Sequence, residues 1–417
     1  MHAGPTMLLF VATYLFGFAP SAVAAGLDWP RWRGPDVNGI SKETGWSTAW
    51  PANGPRQLWK TQIGIGFSSF AVAGQRVFTM GHRDGQDIVW CLDTDTGREI
   101  WKYHYAADLD ARLYEGGPNS TPTLDGDLLF TLGRHGQLFC LNATNGRVVW
   151  KTDLMKDHGL SEPGQDWWGF AGSPLVESDL LILNAGTHGM AFNKKTGKVA
   201  WSTGKGANGY ASPVPFDADG RRGVAIFAAK SLGAVDAKTG QELWVLPWKT
   251  MYEINAADPI FSDGHLFVSS GYRTGGGLFK LDGAKLTEVW RSQEMHSQMN
   301  PSLLLGGHLY GISGQERRSG DLRCVEFMTG KVKWKEPATG MGSVMAADGK
   351  LIVLGERGEL IIAEAKPDGF KALARAQVLG GRCWTVPVLS HGRIFCRNAK
   401  GDCVCLDVRG IQTDQSQ

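Results

Sequence analysis

A turn followed by a tryptophan recurs along this chain with constant internal spacing. Asp and Asn side chains accept hydrogen bonds from turn amides, and glycine adopts positive φ at no steric cost. Each unit therefore predicts a strand, a tight turn with glycine four residues after its first residue (Leu286 replaces glycine once), and a second strand that carries the tryptophan. The turns begin at Asp93, Asn142, Asn193, Asp236, Asp282 and Glu326, and eight residues later stand Trp101, Trp150, Trp201, Trp244, Trp290 and Trp334.

A second hairpin precedes each of these turns. LLFTLGRHGQLFCLN (128–142) and LIVLGERGELIIAE (351–364) have apolar runs on both sides of a short turn, and a short segment with proline, such as AGSPLVES, comes before the hairpin. Each unit thus supplies four short strands. With Trp59 included, the tryptophans are spaced by 42 to 51 residues. Four-stranded units with this period are typical of β-propeller blades.

The number of units predicts a closed ring. A seventh unit spans 342–378, with Glu364 at its turn, and an eighth runs from Trp384 to Asp407 without an outer strand. RQLWKTQ (56–62) places Trp59 where that strand is missing. We therefore predict an all-β, eight-bladed propeller of four-stranded antiparallel blades, with the last blade closed by an N-terminal strand. Trp59 and the six repeat tryptophans are predicted to be packing residues.

The first residues have the features of an export signal. LLFVATYLFGFA (8–19) is apolar but short for a membrane span, and Ala22-Val23-Ala24 has the small-x-small form of a cleavage site. We expect residues 1–24 to be a signal peptide, 25–55 an N-terminal extension, 56–409 the propeller and 410–417 a C-terminal tail. An uncleaved membrane anchor is the alternative. The prediction is an exported monomer, periplasmic or secreted, without a transmembrane segment after cleavage.

Charge and cysteine usage add little chemistry. The net charge of +2 gives no reason to expect nucleic acid as a partner. Cys91, Cys140, Cys324 and Cys405 each stand two residues before a turn and are expected to be small buried side chains. Cys396 and Cys403 flank the turn RNAKGD, which leaves a disulfide between them open.

The repeat resembles a known family. CLDTDTGREIW, FNKKTGKVAW and VDAKTGQELW are similar to the pyrroloquinoline-quinone-like repeat, A-x-D-x-x-T-G-x-x-x-W, and WPRWRGPDVNGIS (29–41) is similar to the start of many exported single-propeller proteins of this class. The resemblance covers residues 29–409. It implies an eight-bladed propeller, but members range from quinoprotein alcohol dehydrogenases to a propeller lipoprotein of outer-membrane assembly, so it does not select a function.

The chain departs from the dehydrogenase pattern. It contains no Cys-Cys pair and no C-x-x-C-H haem motif, and the calcium ligands of those enzymes have no identifiable counterparts. G-x-S-x-G, H-E-x-x-H and P-loop motifs are also absent from the sequence. We therefore predict no metal site and no cofactor; pyrroloquinoline quinone with calcium is expected only if the chain is a dehydrogenase.

Two long connections predict a binding face. Residues 102–117 and 151–171 lead into inner strands and should form one wall. Side chains at or just before inner strands should share that end of the central channel, and their aromatic, amide and hydroxyl groups suit a sugar or a quinone. Packing is the alternative role for Trp167 and Trp168. The candidate ligand-binding residues are Glu115, Asn119, Trp167, Trp168, Asn208, Tyr210, Asn255, Gln298, Asn300 and Trp384.

Basic residues recur at the turn between the two middle strands of the blades. Arg83, Arg134, Arg273 and Arg357 are the candidates to face an anion, and His188, Lys230, Arg317 and Arg397 hold equivalent positions. They are expected to ring the central channel on the same face as the long connections. Ordinary solvated turns are the alternative.

These patterns predict an exported, non-catalytic propeller that acts as a binding or scaffolding module for a protein partner or a glycan. Two alternatives stay open. The first is a quinone-dependent oxidoreductase acting on alcohols or sugars, and the second is a polysaccharide-binding module.

Overall fold

The computed structural model describes residues 1, 25–51, 53–112, 114–161, 168–315 and 320–410. The predicted signal peptide and most of the predicted tail lie outside the described residues, as do Trp167 and Arg317. Three short 3-10 helices occur in the described part of the chain: Ala25–Leu27, Met251–Glu253 and Pro337–Thr339.

Two strands, β1 (Ile40–Ser41) and β2 (Arg56–Gln62), precede the first inner strand of the ring. The four blades of the first half follow. Blade 1 contains β3 (Ala71–Ala73), β4 (Arg76–Arg83), β5 (Gln86–Asp93) and β6 (Glu99–Ala106). Blade 2 contains β7 (Thr123–Asp125), β8 (Leu128–Leu132), β9 (Gln137–Asn142) and β10 (Val148–Asp153). Blade 3 contains β11 (Leu175–Glu177), β12 (Leu180–Leu183), β13 (Met190–Asn193) and β14 (Val199–Ser202). Blade 4 contains β15 (Val214–Ala218), β16 (Arg221–Phe227), β17 (Ser231–Asp236) and β18 (Glu242–Pro247).

The second half repeats this order. Blade 5 contains β19 (Ile260–Ser262), β20 (His265–Ser270), β21 (Gly275–Asp282) and β22 (Lys285–Ser292). Blade 6 contains β23 (Leu303–Leu305), β24 (His308–Ser313), β25 (Asp321–Glu326) and β26 (Val332–Glu336). Blade 7 contains β27 (Ser343–Ala347), β28 (Lys350–Leu354), β29 (Glu359–Glu364) and β30 (Ala372–Gln377). Blade 8 contains β31 (Val388–Ser390), β32 (Arg393–Arg397) and β33 (Asp402–Asp407).

An N-terminal strand completes blade 8. Strand β2 pairs antiparallel with β33, with Trp59 opposite Cys405, so the sheet order is β2-β33-β32-β31. The prediction of an all-β, eight-bladed propeller closed by an N-terminal strand is confirmed.

The repeat tryptophans lie between blades. Trp201 is 8% exposed, and its Nε1 donates to the backbone oxygen of Ala237 in the turn of the next blade, at 3.2 Å. Gly240 in that turn has φ +72°, and a Cβ atom there would lie 2.6 Å from the Trp201 ring. The same packing joins Trp59 to Gly97, Trp101 to Gly146, Trp150 to Gly197 and Trp290 to Gly330. The two remaining repeat tryptophans pack on phenylalanines instead, Trp244 on Phe216 and Phe261, and Trp334 on Phe370.

Residues 28–41, which we call the axial segment, run along the inner strands of the ring. Strand β1 pairs in parallel with the innermost strand of blade 7, with Ile40 opposite Ala346. Trp29 forms a bridge with Val72 of blade 1, and the amide of Leu124 in blade 2 donates to Pro30 O at 2.8 Å. This segment belongs to the stretch 25–55 that we expected to be an N-terminal extension, and its position relative to the ring was not predicted. In the structure it lies at the axis of the ring.

The alternating strand directions give the ring two faces. The connections from each outer strand to the next inner strand lie on one face together with the middle-hairpin turns, as the bridge between Ile65 and His82 shows. We call this side the loop face. The axial segment begins and ends on the opposite side, where Asp28 contacts His391 and the Glu43 carboxylate accepts the amide of Gly392.

Two local predictions were wrong in detail. The connections are shorter than 102–117 and 151–171, because the outer strands continue to Ala106 and Asp153. Tyr103 and Tyr105 extend the first of these strands by packing on Phe139 of the next blade, at centroid distances of 5.1 and 4.7 Å.

The proposed disulfide does not form. In the hairpin register Cys396 lies opposite Val404, and Cys403 lies opposite Arg397. All seven cysteines are free and buried, including the four predicted as small core side chains. Burial raises the pKa of the Cys91 and Cys140 thiols to about 12, which makes them poor nucleophiles.

Candidate binding site

A pocket opens on the loop face at the axis of the ring. Its empty volume is about 940 Å³, part of which is open solvent, and Trp32 of the axial segment is among its lining residues. The other lining residues come from the connections into the inner strands: Phe67, Tyr114, Asn119, Trp168, Ala171, Ser173, Tyr210, Ser212, Ile254, Ala256, Asp258, Gln298, Met299, Asn300, Trp384, Thr385 and Val386.

A chain of hydrogen bonds around the axis positions these connections. The amide of Ser69 donates to Thr121 Oγ1 at 3.1 Å, that of Thr121 to Ser173 Oγ at 2.9 Å, and that of Ser173 to Ser212 Oγ at 2.9 Å. The amide of Ser212 then donates to Asp258 Oδ1 at 2.8 Å. Each blade from the first to the fourth is thereby joined to the next at the pocket wall.

Asp258 also contacts the axial segment through its second carboxylate oxygen, which the hydroxyl residues of this chain of hydrogen bonds do not have. Its Oδ2 accepts from Trp32 Nε1 at 2.6 Å and lies 4.0 Å from Arg33 Nε. Burial raises the pKa of the Asp258 carboxyl, and Arg33 opposes that shift. Hydrogen bonds from Trp32 and Ser212, with Arg33 nearby, compensate the burial of this carboxylate. Through these contacts Asp258 holds the axial segment under the pocket. Trp32 therefore forms the pocket floor.

Four aromatic rings in contact with one another form one side of the pocket, which we call the aromatic wall. The ring centroids of Trp168 and Tyr114 are 4.7 Å apart, those of Tyr114 and Phe67 are 5.3 Å apart, and those of Phe67 and Trp384 are 5.6 Å apart. Trp384 Nε1 donates to Glu356 at 3.1 Å, which fixes that ring. The wall lines this side of the pocket with aromatic side chains.

Two arginines behind the wall are paired with carboxylates. Arg134 Nη2 lies 2.8 Å from Asp110, and the Arg134 side chain is 1% exposed. Arg382 lies over the Trp384 ring at 4.3 Å and pairs with Glu115 at 2.7 Å. Both cations already have carboxylate partners. No arginine or lysine is among the described residues that line the pocket.

Six of the ten candidate ligand-binding residues line the pocket: Asn119, Trp168, Tyr210, Gln298, Asn300 and Trp384. Glu115 lies behind the wall as the partner of Arg382. Asn208 and Asn255 are buried and do not line the pocket, because their amides serve the backbone. Asn208 donates to Asn184 O at 3.0 Å, and Asn255 donates to Ala228 O at 2.9 Å. Trp167 lies outside the described residues.

The four anion-facing candidates separate into two kinds. Arg134 is buried against Asp110 and Tyr114, so an incoming anion cannot reach it, which corrects its assignment. Arg83, Arg273 and Arg357 are exposed on turns of the loop face, and their effect on anions stays a prediction. Among the equivalent turns, Arg397 is fully buried and donates to the backbone oxygens of Ser68, Met80 and Gly64, which join blade 8 to blade 1.

The sequence reasoning missed several pocket residues. Trp32, Phe67 and Tyr114 line the pocket. In the sequence, the one feature that could have identified them is that they are aromatic residues outside the repeat positions. At the rim, Tyr252 and Tyr272 contact edge to face at 5.5 Å, and Tyr272 Oη accepts from Gln298 Nε2 at 2.9 Å. Both tyrosines have positive φ, 65° and 55°. Strained backbone of this kind is frequent at functional sites.

The residues that line the pocket do not fit a calcium-bound quinone. Asp258 is the only carboxylate among the described lining residues, and both its oxygens already accept hydrogen bonds. Calcium takes about six to eight oxygen ligands, carboxylates among them. Elsewhere in the described ranges, no group of three or more His, Cys, Asp or Glu side chains is arranged to hold a metal ion. The helices of those ranges are also too short to cross a membrane.

Comparisons with known proteins agree with this architecture. Tetrathionate hydrolase of Acidithiobacillus ferrooxidans is 24% identical over 231 residues, which cover 48% of this chain and 43% of that protein, so the match spans less than half of this relative. The outer membrane protein assembly factor BamB of Yersinia pestis is 22% identical over 83% of this chain and 77% of its own.

A solved structure also shares the fold. The quinohemoprotein alcohol dehydrogenase ADHIIG of Pseudomonas putida HK5 superposes with a TM-score of 0.66, at 14% identity, over 94% of this chain and 82% of that one. Residues 106–336, more than half of the chain, match the family described as outer membrane protein assembly factor BamB. The chain belongs to that family.

Proposed function

We propose that this protein is an exported, non-catalytic binding propeller that holds a ligand or partner at the axial pocket, in the periplasm or at the cell surface. The observation that carries the proposal is the composition of the pocket. One wall consists of aromatic rings, and the one carboxylate among the described lining residues holds the floor. The described lining residues can bind and orient a ligand, and they include no free carboxylate, histidine or cysteine.

Two further observations support this role. The family and the relative from Yersinia pestis are named for outer membrane protein assembly, which is scaffolding work outside the cytoplasm. The apolar run at 8–19, followed by a small-x-small site, is the pattern of an export signal. A rigid ring with its connections on one face suits a scaffold, because partners meet a preformed surface.

The competing function is a quinone-dependent alcohol or sugar dehydrogenase, which the fold likeness to ADHIIG favours. Purified protein should be incubated with pyrroloquinoline quinone and calcium, and dye reduction recorded with a panel of alcohols and sugars. We expect no rate above the protein-free blank and no change in the visible spectrum of the quinone. A known apo-dehydrogenase treated in the same way is the positive control. Substrate-dependent dye reduction by this protein would overturn the proposal.

A further inference from the structure

The floor of the pocket makes it blind. Trp32 lies under the pocket and is held there by the 2.6 Å hydrogen bond to Asp258, while Arg33 donates to Ser302 O at 3.0 Å. A chain molecule therefore cannot pass through the axis of the ring at this point. A ligand that uses the depth of the pocket must insert an end.

The polar groups of the pocket favour a ligand rich in hydroxyl groups. The amide nitrogens of Asn119 and Asn300 are engaged, with Tyr114 Oη at 3.3 Å and with Trp384 O at 2.9 Å. Their side-chain oxygens accept no hydrogen bond from another described residue and are not fully buried. Ser173 and Ser212 use their oxygens as acceptors for backbone amides, which leaves each hydroxyl proton to donate. The pocket thus offers hydrogen-bond acceptors on Asn119 and Asn300 and hydrogen-bond donors on Ser173 and Ser212 to the hydroxyl groups of a ligand.

The described residues that line the pocket offer no partner to a charged ligand. An anionic ligand would need a free cation, but Arg134 and Arg382 are paired with Asp110 and Glu115. A cationic ligand finds no free carboxylate among the described lining residues, because both oxygens of Asp258 already accept hydrogen bonds. Desolvating a charged group without a partner costs several kcal/mol in general. The ligand that fits is neutral.

We propose that the axial pocket binds the terminal sugars of a neutral carbohydrate chain, with pyranose faces against the aromatic wall and hydroxyl groups on Asn119, Asn300, Ser173 and Ser212. The inference rests on the proposed binding function and names its ligand class. A proline-rich peptide also stacks on aromatic rings, but it lies along an open groove, whereas this pocket is closed below.

The test is isothermal titration of the full chain with linear neutral oligosaccharides of glucose, mannose, galactose and N-acetylglucosamine. Uronic-acid oligosaccharides of equal length and a proline-rich peptide are the comparison ligands. At least one neutral oligosaccharide should bind, and its uronic-acid counterpart should bind at least about tenfold more weakly, because no arginine or lysine among the described lining residues receives the carboxylate.

Variants locate the site. Trp168→Ala removes one ring of the wall and should weaken binding roughly tenfold, since an aromatic contact contributes on that order. Asn119→Ala removes a free acceptor and should weaken binding by a similar factor. Trp50→Ala is the matched control: Trp50 is half-buried on the opposite face, beside Ser47, so binding should not change. Unfolding temperatures confirm that each variant is folded.

Three results would overturn the inference: no neutral oligosaccharide binds, neither Trp168→Ala nor Asn119→Ala weakens binding, or the proline-rich peptide alone binds. In the third case the binding function stands and only the ligand class is wrong. Dye reduction in the quinone assay, in contrast, would reject the binding function itself.

Discussion

A chain that starts at residue 63 is expected not to fold cooperatively. It lacks β2, which leaves the long edge of β33 unpaired, and it lacks Trp59, whose ring packs on the Gly97 turn of blade 1. It also loses β1 and the axial segment. Folded domains are stable by only roughly 5–15 kcal/mol, so the combined loss of a strand, a buried indole and the axial segment is expected to unfold the ring. Circular dichroism during heating should show no sharp transition, and size exclusion should show aggregates.

A chain that starts at residue 51 separates the two contributions. It keeps β2 and loses the axial segment together with residues 42–50, among them the buried Trp46, so we expect a folded ring with a lower unfolding temperature and greater binding of apolar dyes. The reference is the chain that starts at residue 25. If the chain from residue 63 melts at the same temperature as the reference, β2 does not close the ring.

Trp201→Ala is expected to lower the free energy of unfolding by about 3–5 kcal/mol. The indole is 8% exposed, packs on Gly240 of the next blade, and donates a hydrogen bond to Ala237 O. No neighbouring side chain can fill the space, because the glycine opposite has none. The midpoint of denaturant unfolding measures the effect, with the slope checked for constancy.

Val199→Ala is the matched control for this substitution. Val199 lies on the same outer strand and is 45% exposed, so its truncation should change stability by no more than about 0.5 kcal/mol. Equal shifts for Trp201→Ala and Val199→Ala would show that the tryptophan is not an inter-blade contact.

The parts of the structure that repeat were predictable from the sequence. The spacing from turn to tryptophan is set within one blade, so its six instances reinforce one another, and Trp59 marked the missing outer strand. The connections that form the pocket wall were also predictable in outline, because the residue before each inner strand must lie at the axis.

The axial segment was not predictable in the same way. Residues 28–41 have no strand or helix periodicity, and their contacts are with residues far along the chain. One signal was present but unused. Among the residues before the inner-strand prolines, Asp258 is the only acid, where Thr121, Ser173 and Ser212 are hydroxyl residues. An acid in a buried, repeated position indicates a partner outside the repeat.

The wrong assignments have a common physical cause. Asn208 and Asn255 were chosen because amide side chains suit a sugar, but an amide is equally suited to backbone carbonyls left unpaired between blades. Arg134 was chosen for its place in a turn, and a long side chain there can fold back to a carboxylate on the adjoining connection, as it does with Asp110. Residue type alone does not separate these outcomes.

Hydrogen exchange of the axial segment tests most directly whether the N-terminal chain forms the floor of the pocket. The Trp29 amide donates to Val72 O at 2.8 Å and the Gly39 amide to Arg33 O at 2.9 Å, so peptides covering 29–41 should exchange as slowly as the innermost strand β27. Asp258→Asn, which removes the charge that holds Trp32 and Arg33, should speed their exchange while leaving peptides from blade 2 unchanged. Exchange of residues 29–41 at the rate of an unstructured peptide, in the unmodified protein, would show that the axis is open and the pocket has no floor.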